Sequence, residues 1–150
     1  MNEYKQINSL TQSFKGIAKI ITSPIVIENL YSEEKGQTNA IWDTGATNSV
    51  ITETFAKKLN LIPSGKAIVL GVHGQKKVNM FPIKITLNNE ALSFTIPVTE
   101  CMDLTDDGSC EFLLGMDIIS HGDLAITNFG GNTKMSFRVP FVEPIDFSKS

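Results

Sequence analysis

Cysteine is scarce in this chain: Cys101 and Cys110 are the only two among 150 residues. Their spacing matches no zinc-ligand pattern, and the only histidines, His73 and His121, do not complete one. Two reduced thiols are the expectation. An excess of one charge is also lacking, since 13 basic and 16 acidic residues leave a formal net charge of -3. No basic field therefore favours nucleic acid as a partner. Long hydrophobic runs are missing too, and nothing approaches the roughly 20 apolar residues of a membrane span. Lys15, Lys19 and Pro24 break the apolar stretches near the N-terminus, so no secretory leader is recognisable and a cytoplasmic location is expected. The acidic stretch 100–111 superficially suggests calcium, with Asp103, Asp106, Asp107 and Gly108. A loop begun at Asp103 would place Leu114 where a bidentate acid belongs, so that reading fails. No metal and no organic cofactor are expected. Internal repeats and low-complexity segments are absent.

What is present is a succession of short β-type runs. Residues 1–15 are polar and weakly periodic, which predicts a short helix or a loose arm. Residues 17–21 and 25–27 read as strands separated by Thr22-Ser23-Pro24, because β-branched residues bounded by turn formers favour extended chain. Residues 38–42 form a further strand, and Ser49-Val50-Ile51 another. One helix is predicted after Thr52, a good N-cap, with Glu53 in its first turn and Phe55 and Leu59 on one face. Asn60 and Pro63 end it. Strands at 66–70 and 76–87 flank Gly71-Val72-His73-Gly74, which predicts a glycine-bracketed hairpin. Strands follow at 91–98, 112–115, 124–127 and 134–139, with a second short helix at 116–120. Many short strands with little helix define an all-β class, a small barrel or sandwich. The length suits one domain burying roughly 68–70% of its unfolded surface.

The most informative element is Asp43-Thr44-Gly45, placed at the end of the apolar run Ala40-Ile41-Trp42 and followed by Ala46-Thr47-Asn48-Ser49-Val50-Ile51. A carboxylate delivered by a strand end, beside a hydroxyl and a glycine that permits close backbone approach, suits activation of water. Such a tripeptide arises by chance in roughly one chain in thirty of this length. Its surroundings therefore carry more weight than the motif alone. It occurs once, so if this carboxylate needs a partner carboxylate, a second chain must supply it.

These segments, together with the hairpin and with Phe112-Leu113-Leu114-Gly115-Met116-Asp117-Ile118-Ile119, resemble the retropepsin-like aspartic protease family. The likeness is to the single-lobe, homodimeric type of retroviruses and their bacterial relatives, over about residues 17–139. The resemblance implies a closed β-barrel protomer with one or two short helices and an active site on the homodimer axis. It implies that Asp43 is the catalytic carboxylate and that the Thr44 hydroxyl grips the opposite subunit. Gly45 and Ala46 would line the substrate floor. Gly71, Val72, His73 and Gly74 would form the flap tip, and Leu114 and Gly115 the loop supporting the Asp-Thr-Gly turn. Viral members usually carry arginine after the glycine, where this chain has Met116. The implied organisation is an N-terminal arm at 1–15, the protease domain at 16–140 and a tail at 141–150. The implied activity is hydrolysis of peptide or protein substrates by a homodimer, without nucleic acid or membrane.

Ordinary roles compete for several of these residues. A non-catalytic peptide-binding or dimerisation module could retain the same fold, and a glycosidase could also use paired carboxylates. Trp42, pointing to the opposite face from Asp43, is expected to pack rather than touch substrate. His73 could face substrate or simply sit exposed on a hairpin. Asp117 and Asp123 near helix ends are most simply read as caps.

Overall fold

The computed structural model describes residues 6–149. Among the described residues, ten strands make up two sheets around one core, joined by two short α-helices and two 3-10 turns. The strands are β1 (Asn8–Ser13), β2 (Thr22–Asn29), β3 (Lys35–Trp42), β4 (Val50–Thr52), β5 (Gly65–Gly71), β6 (Gly74–Thr86), β7 (Ser93–Cys101), β8 (Cys110–Leu114), β9 (Asp123–Thr127) and β10 (Lys134–Val139). The helices are α1 (Glu53–Lys58) and α2 (Met116–Ile119).

The larger sheet runs β2-β3-β8-β4-β7-β6-β5, and an added β2–β6 pairing closes six of its strands into a barrel. Alternation fills the interior. Ser23, Ile25, Ile27 and Asn29 on β2, with Phe81, Ile83 and Ile85 on β6 and Phe112 and Leu114 on β8, are all buried. Such period-two patterning fixes each strand's register, because a one-residue slip would turn the apolar set to solvent. The strand β5 stays outside the barrel and pairs only with the first half of β6. Pro82 on β6 lies opposite Pro97 on β7, where β6 leaves β5 and before β2 joins it at Ile83. Two residues without an N–H thus mark the point at which the hairpin departs from the barrel wall.

The second sheet has the order β1-β10-β9 and packs Leu10, Met135 and Phe137 into the same core. Here the sequence-based expectation needs correction. Within the described part of segment 1–15, residues 8–13 form a strand rather than a helix or loose arm; residues 1–5 lie outside the described residues. The expected strand at 17–21 is also replaced by irregular chain, while β2 runs straight through Thr22-Ser23-Pro24. Proline is tolerated there because β6 covers only Val26–Asn29, leaving the earlier half of β2 with β3 alone. The helix α1 begins as expected, with the Phe55 N–H donating to Thr52 Oγ1 at 3.1 Å. Asn60, at φ +51°, turns the chain after it.

Candidate active site

The strand β3 ends at Trp42, whose burial sets the orientation of the residue that follows. Its indole Nε1–H donates to Ser23 Oγ at 2.8 Å, and its ring meets Phe137 edge-on at 5.1 Å between centroids. Trp42 is thus a packing residue, and Asp43 emerges beside it half-buried. The Asp43 N–H donates to the Leu114 carbonyl at 2.9 Å, continuing the parallel β3–β8 ladder into the turn. The turn then closes on itself. Ala46 N–H reaches the Asp43 carbonyl at 3.2 Å, and Gly45 N–H donates to Asp43 Oδ1 at 2.8 Å. Among the described residues no other hydrogen bond engages the Asp43 carboxylate, which leaves Oδ2 open to water or substrate. Thr44 and Gly45 are exposed.

Gly115 shows why a glycine must back this turn. A Cβ there would lie 2.8 Å from the Ala46 carbonyl oxygen and 3.0 Å from the Asn48 carbonyl, closer than real side chains approach. Only a bare backbone allows the start of α2 to press against residues 46–48. Further bonds lock the contact, from Met116 N–H to the Ala46 carbonyl at 2.8 Å and from Asp117 N–H to the Thr47 carbonyl at 3.2 Å.

Two further residues complete the support: Ser49, to which sequence reasoning gave no role of its own, and Asp117, which it read as a cap. Ser49 donates from its N–H to Asp117 Oδ2 at 2.9 Å and from its hydroxyl to Asp117 Oδ1 at 2.7 Å, while its Oγ accepts from Gly115 N–H at 3.0 Å. Asp117 is therefore a cross-brace between the far end of the turn and α2, not merely a helix cap. The N-cap position belongs to Gly115, which has no side chain to cap with. The only sequence signal was an acid in the first turn of a short helix, and its partner lies 68 residues away. Asp123 likewise opens β9 rather than capping a helix. It accepts from Arg138 Nε at 2.8 Å and from Val142 N–H at 2.7 Å, and these bonds hold its carboxyl below the usual aspartate range.

The structure thus brings Asp43, Thr44, Gly45 and Ala46 together with Leu114 and Gly115. It does not join them to Gly71, Val72, His73 and Gly74. These four form the expected hairpin tip, with Gly71 opposite Gly74 and Gly74 at φ +105°, a backbone state that favours glycine. The tip is solvent-exposed, Val72 at 99%, and no hydrogen bond links it to the Asp43 turn. Instead the hairpin borders a cavity of about 520 Å³ whose lining includes Val69, Val72, Val78 and Met102 together with Glu53 and Glu100. Cys101 also borders this cavity and, like the buried Cys110, is free. Burial, helped by Asp103 and Glu100, pushes the Cys101 thiol up to about 11. No cluster of three or more potential metal ligands occurs among the described residues, and no described helix is long and apolar enough to cross a membrane.

A closed six-strand barrel that presents an Asp-Thr-Gly turn, backed by a Leu-Gly step from a neighbouring strand, is the protomer architecture of a retropepsin-like aspartic protease. The chain belongs to the gag-polyprotein putative aspartyl protease family, whose sequence model matches residues 32–121. Among solved structures it is similar to the retroviral protease-like domain of Ddi1 from Leishmania major, at 15% identity and a TM-score of 0.50, over 87% of this chain and 100% of that one. That likeness concerns the fold. A retropepsin-like aspartic protease from Rickettsia conorii matches at 16% identity and a TM-score of 0.46, over 82% and 98% of the two chains. EIAV protease complexed with the inhibitor HBY-793 matches at 21% identity and a TM-score of 0.48, over 68% and 86%. No curated protein matches the sequence.

Proposed function

We propose that this chain is an aspartic endopeptidase that acts as a homodimer, with one Asp43 from each copy forming the catalytic pair. The observation that carries this reading is the state of the Asp43 carboxylate: presented by a braced turn and, among the described residues, bonded only to Gly45 N–H and to no second acid. An isolated aspartate is a poor base near neutrality, since the reference pKa of that side chain is about 3.9. Two carboxylates at ~3 Å and an effective dielectric of ~20 repel by about 5.5 kcal/mol. That equals roughly four pKa units of coupling, so the pair retains one proton over a wide pH range.

The ionised member takes a proton from water while the protonated member polarises the scissile carbonyl, and the amide is hydrolysed without a covalent intermediate. Thr44, exposed in the single chain, would lose its solvent contact against the partner and fix the two turns relative to one another. Gly45 and Ala46 would form the floor beneath an extended peptide. The hairpin tip, Gly71 to Gly74, would fold over it, offering backbone groups for β-type pairing. An intact, braced Asp-Thr-Gly turn favours catalysis over a binding module that has lost it.

The test is cleavage of a diverse peptide mixture by wild type and Asp43→Asn across acidic to neutral pH, read by mass spectrometry. The substitution is expected to cut turnover by about 10²–10⁴-fold or more, the scale of general acid-base catalysis, while dimerisation persists. Full activity in Asp43→Asn would refute the assignment. Activity should be higher at mildly acidic pH, where the pair holds its proton. A rate climbing steadily to pH 9 contradicts a shared proton.

A further inference from the structure

We propose that the β5–β6 hairpin is a membrane-surface anchor, whose outer face and tip enter the headgroup layer of an anionic bilayer with apolar residues foremost and lysines behind.

The ladder sorts the hairpin side chains onto two faces. Ala67 lies opposite Val78 and Val69 opposite Lys76, and Val69, Lys76 and Val78 line the cavity that the hairpin borders. Side chains one position along the strand point the other way. The outer face therefore carries Lys66 opposite Asn79, Ile68 opposite Lys77 and Leu70 opposite Gln75. Peptide hydrolysis calls on the cavity face and the tip, and gives the outer face no task. Yet Ile68 is 61% exposed and Leu70 78%, and they lead to Val72 at the tip. Apolar side chains gathered on a protrusion and rimmed by polar ones mark a contact surface.

Charge selects the occupant. Residues 54–89 contain no aspartate or glutamate, although the chain holds 16 of them. The same segment carries Lys57, Lys58, Lys66, Lys76, Lys77 and Lys84. Lys57 pairs with Glu53 and Lys84 with Glu28. Among the described residues, the side chains of Lys66, Lys76 and Lys77 make no ion pair or hydrogen bond. A second copy laid on this face would set lysine against lysine, which disfavours it. An anionic lipid surface satisfies the lysines and the apolar residues together. The spacing along the strands fits such a layered partner. Lys76 and Lys77 stand two and three rungs behind the Gly71–Gly74 pair, about 7–10 Å at the strand rise per residue. Interfacial elements bury their apolar parts by about 5–10 Å. Leu70 and Val72 thus reach the acyl boundary while the ammonium groups stay level with the phosphates. No described helix is long and apolar enough to span a bilayer, and the contact proposed is with its surface alone.

The experiment is flotation of the full chain with vesicles of phosphatidylcholine alone, or with about one-third phosphatidylserine. Wild type is expected to bind the anionic vesicles only, and to leave them as salt is raised. The variants Ile68→Thr/Leu70→Thr and Lys66→Gln/Lys77→Gln are each expected to weaken binding about 10-fold or more. The control Lys57→Gln/Lys58→Gln removes the same number of lysines from α1 and is expected to change binding by less than about twofold. Circular dichroism checks the fold of each variant, and threonine keeps the β preference of the two apolar positions. In Val72→Trp, a blue shift on adding anionic vesicles reports entry of the tip, since Trp42 is buried and constant. Wild type that stays unbound to anionic vesicles at low salt overturns the anchor. Equal losses in the hairpin and α1 variants also overturn it, because the attraction is then diffuse. Wild type that ignores vesicles but self-associates through Ile68 and Leu70 overturns it in favour of a second copy. Wild type that ignores vesicles but binds polyglutamate overturns it in favour of an acidic protein. Vesicle binding is read without cleavage, so the anchor and the peptidase reading can each fail alone.

Discussion

The turn bearing Asp43 and the hairpin ending in Val72-His73 are both short reversals built with glycine, but they are held in opposite ways. The turn is tied to two other segments: to β8 through Leu114, and to α2 through Met116, Asp117 and the Ser49 brace. The hairpin has only its own β5–β6 ladder, and every residue from Val69 to Lys77 is exposed. Chain with few buried contacts opens at low free-energy cost, whereas chain braced into a core opens only with larger units of the fold. A peptidase needs both properties, a fixed carboxylate and a cover that can move.

Alanine at one glycine from each region, Gly115 behind the turn and Gly71 at the hairpin tip, is the strongest way to break this contrast. Gly115→Ala drives a Cβ into the Ala46 and Asn48 backbone and is expected to cost about 3 kcal/mol, at the upper end of overpacking penalties, with lost cleavage. Gly71→Ala meets nothing closer than 3.8 Å and is expected to leave stability within about 0.5 kcal/mol. Denaturant melts of both variants decide it, and equal losses would remove the distinction. Next in size, Asp117→Ala strands the Ser49 N–H and hydroxyl and is expected to cost about 1–2 kcal/mol. Amide exchange at residues 43–49 should rise in that variant, while exchange in the hairpin stays unchanged.

Two smaller effects sharpen the comparison through titration. With its thiol raised to about 11, Cys101 should alkylate slowly at neutral pH, the rate rising about tenfold per pH unit up to that region. A plateau near pH 9 would show that the wall of the hairpin cavity is open rather than packed. Asp123 has a folded-state pKa below its unfolded value, from its bonds to Val142 and Arg138. Its contribution to stability is therefore present above the unfolded value of about 3.9 and lost as pH falls through the folded one. Asp123→Asn should remove that part of the acid-side slope in melts recorded from pH 5 downward.

The features legible in sequence were those written by neighbouring residues. The Asp-Thr-Gly turn, the Thr52 cap, the hairpin with its two glycines and most strands follow from side-chain chemistry within a few positions. The misread parts depend on distant partners. Only Leu10 of β1 is buried, and it becomes strand through pairing with Phe137 of β10. Ser23-Pro24 looked like a break, since nothing local shows that β6 covers only the other half of β2. Asp117 looked like a cap because Ser49 is remote in the chain.

Composition and local pattern settled the all-β class and the position of the one Asp-Thr-Gly carboxylate. Tertiary structure alone decided what braces that carboxylate, which glycine the brace requires and which face of the hairpin turns away from the cavity. The physical reason is range: turn and strand preferences act over a few residues, while ladders, braces and cavities exist only once distant segments have been brought side by side.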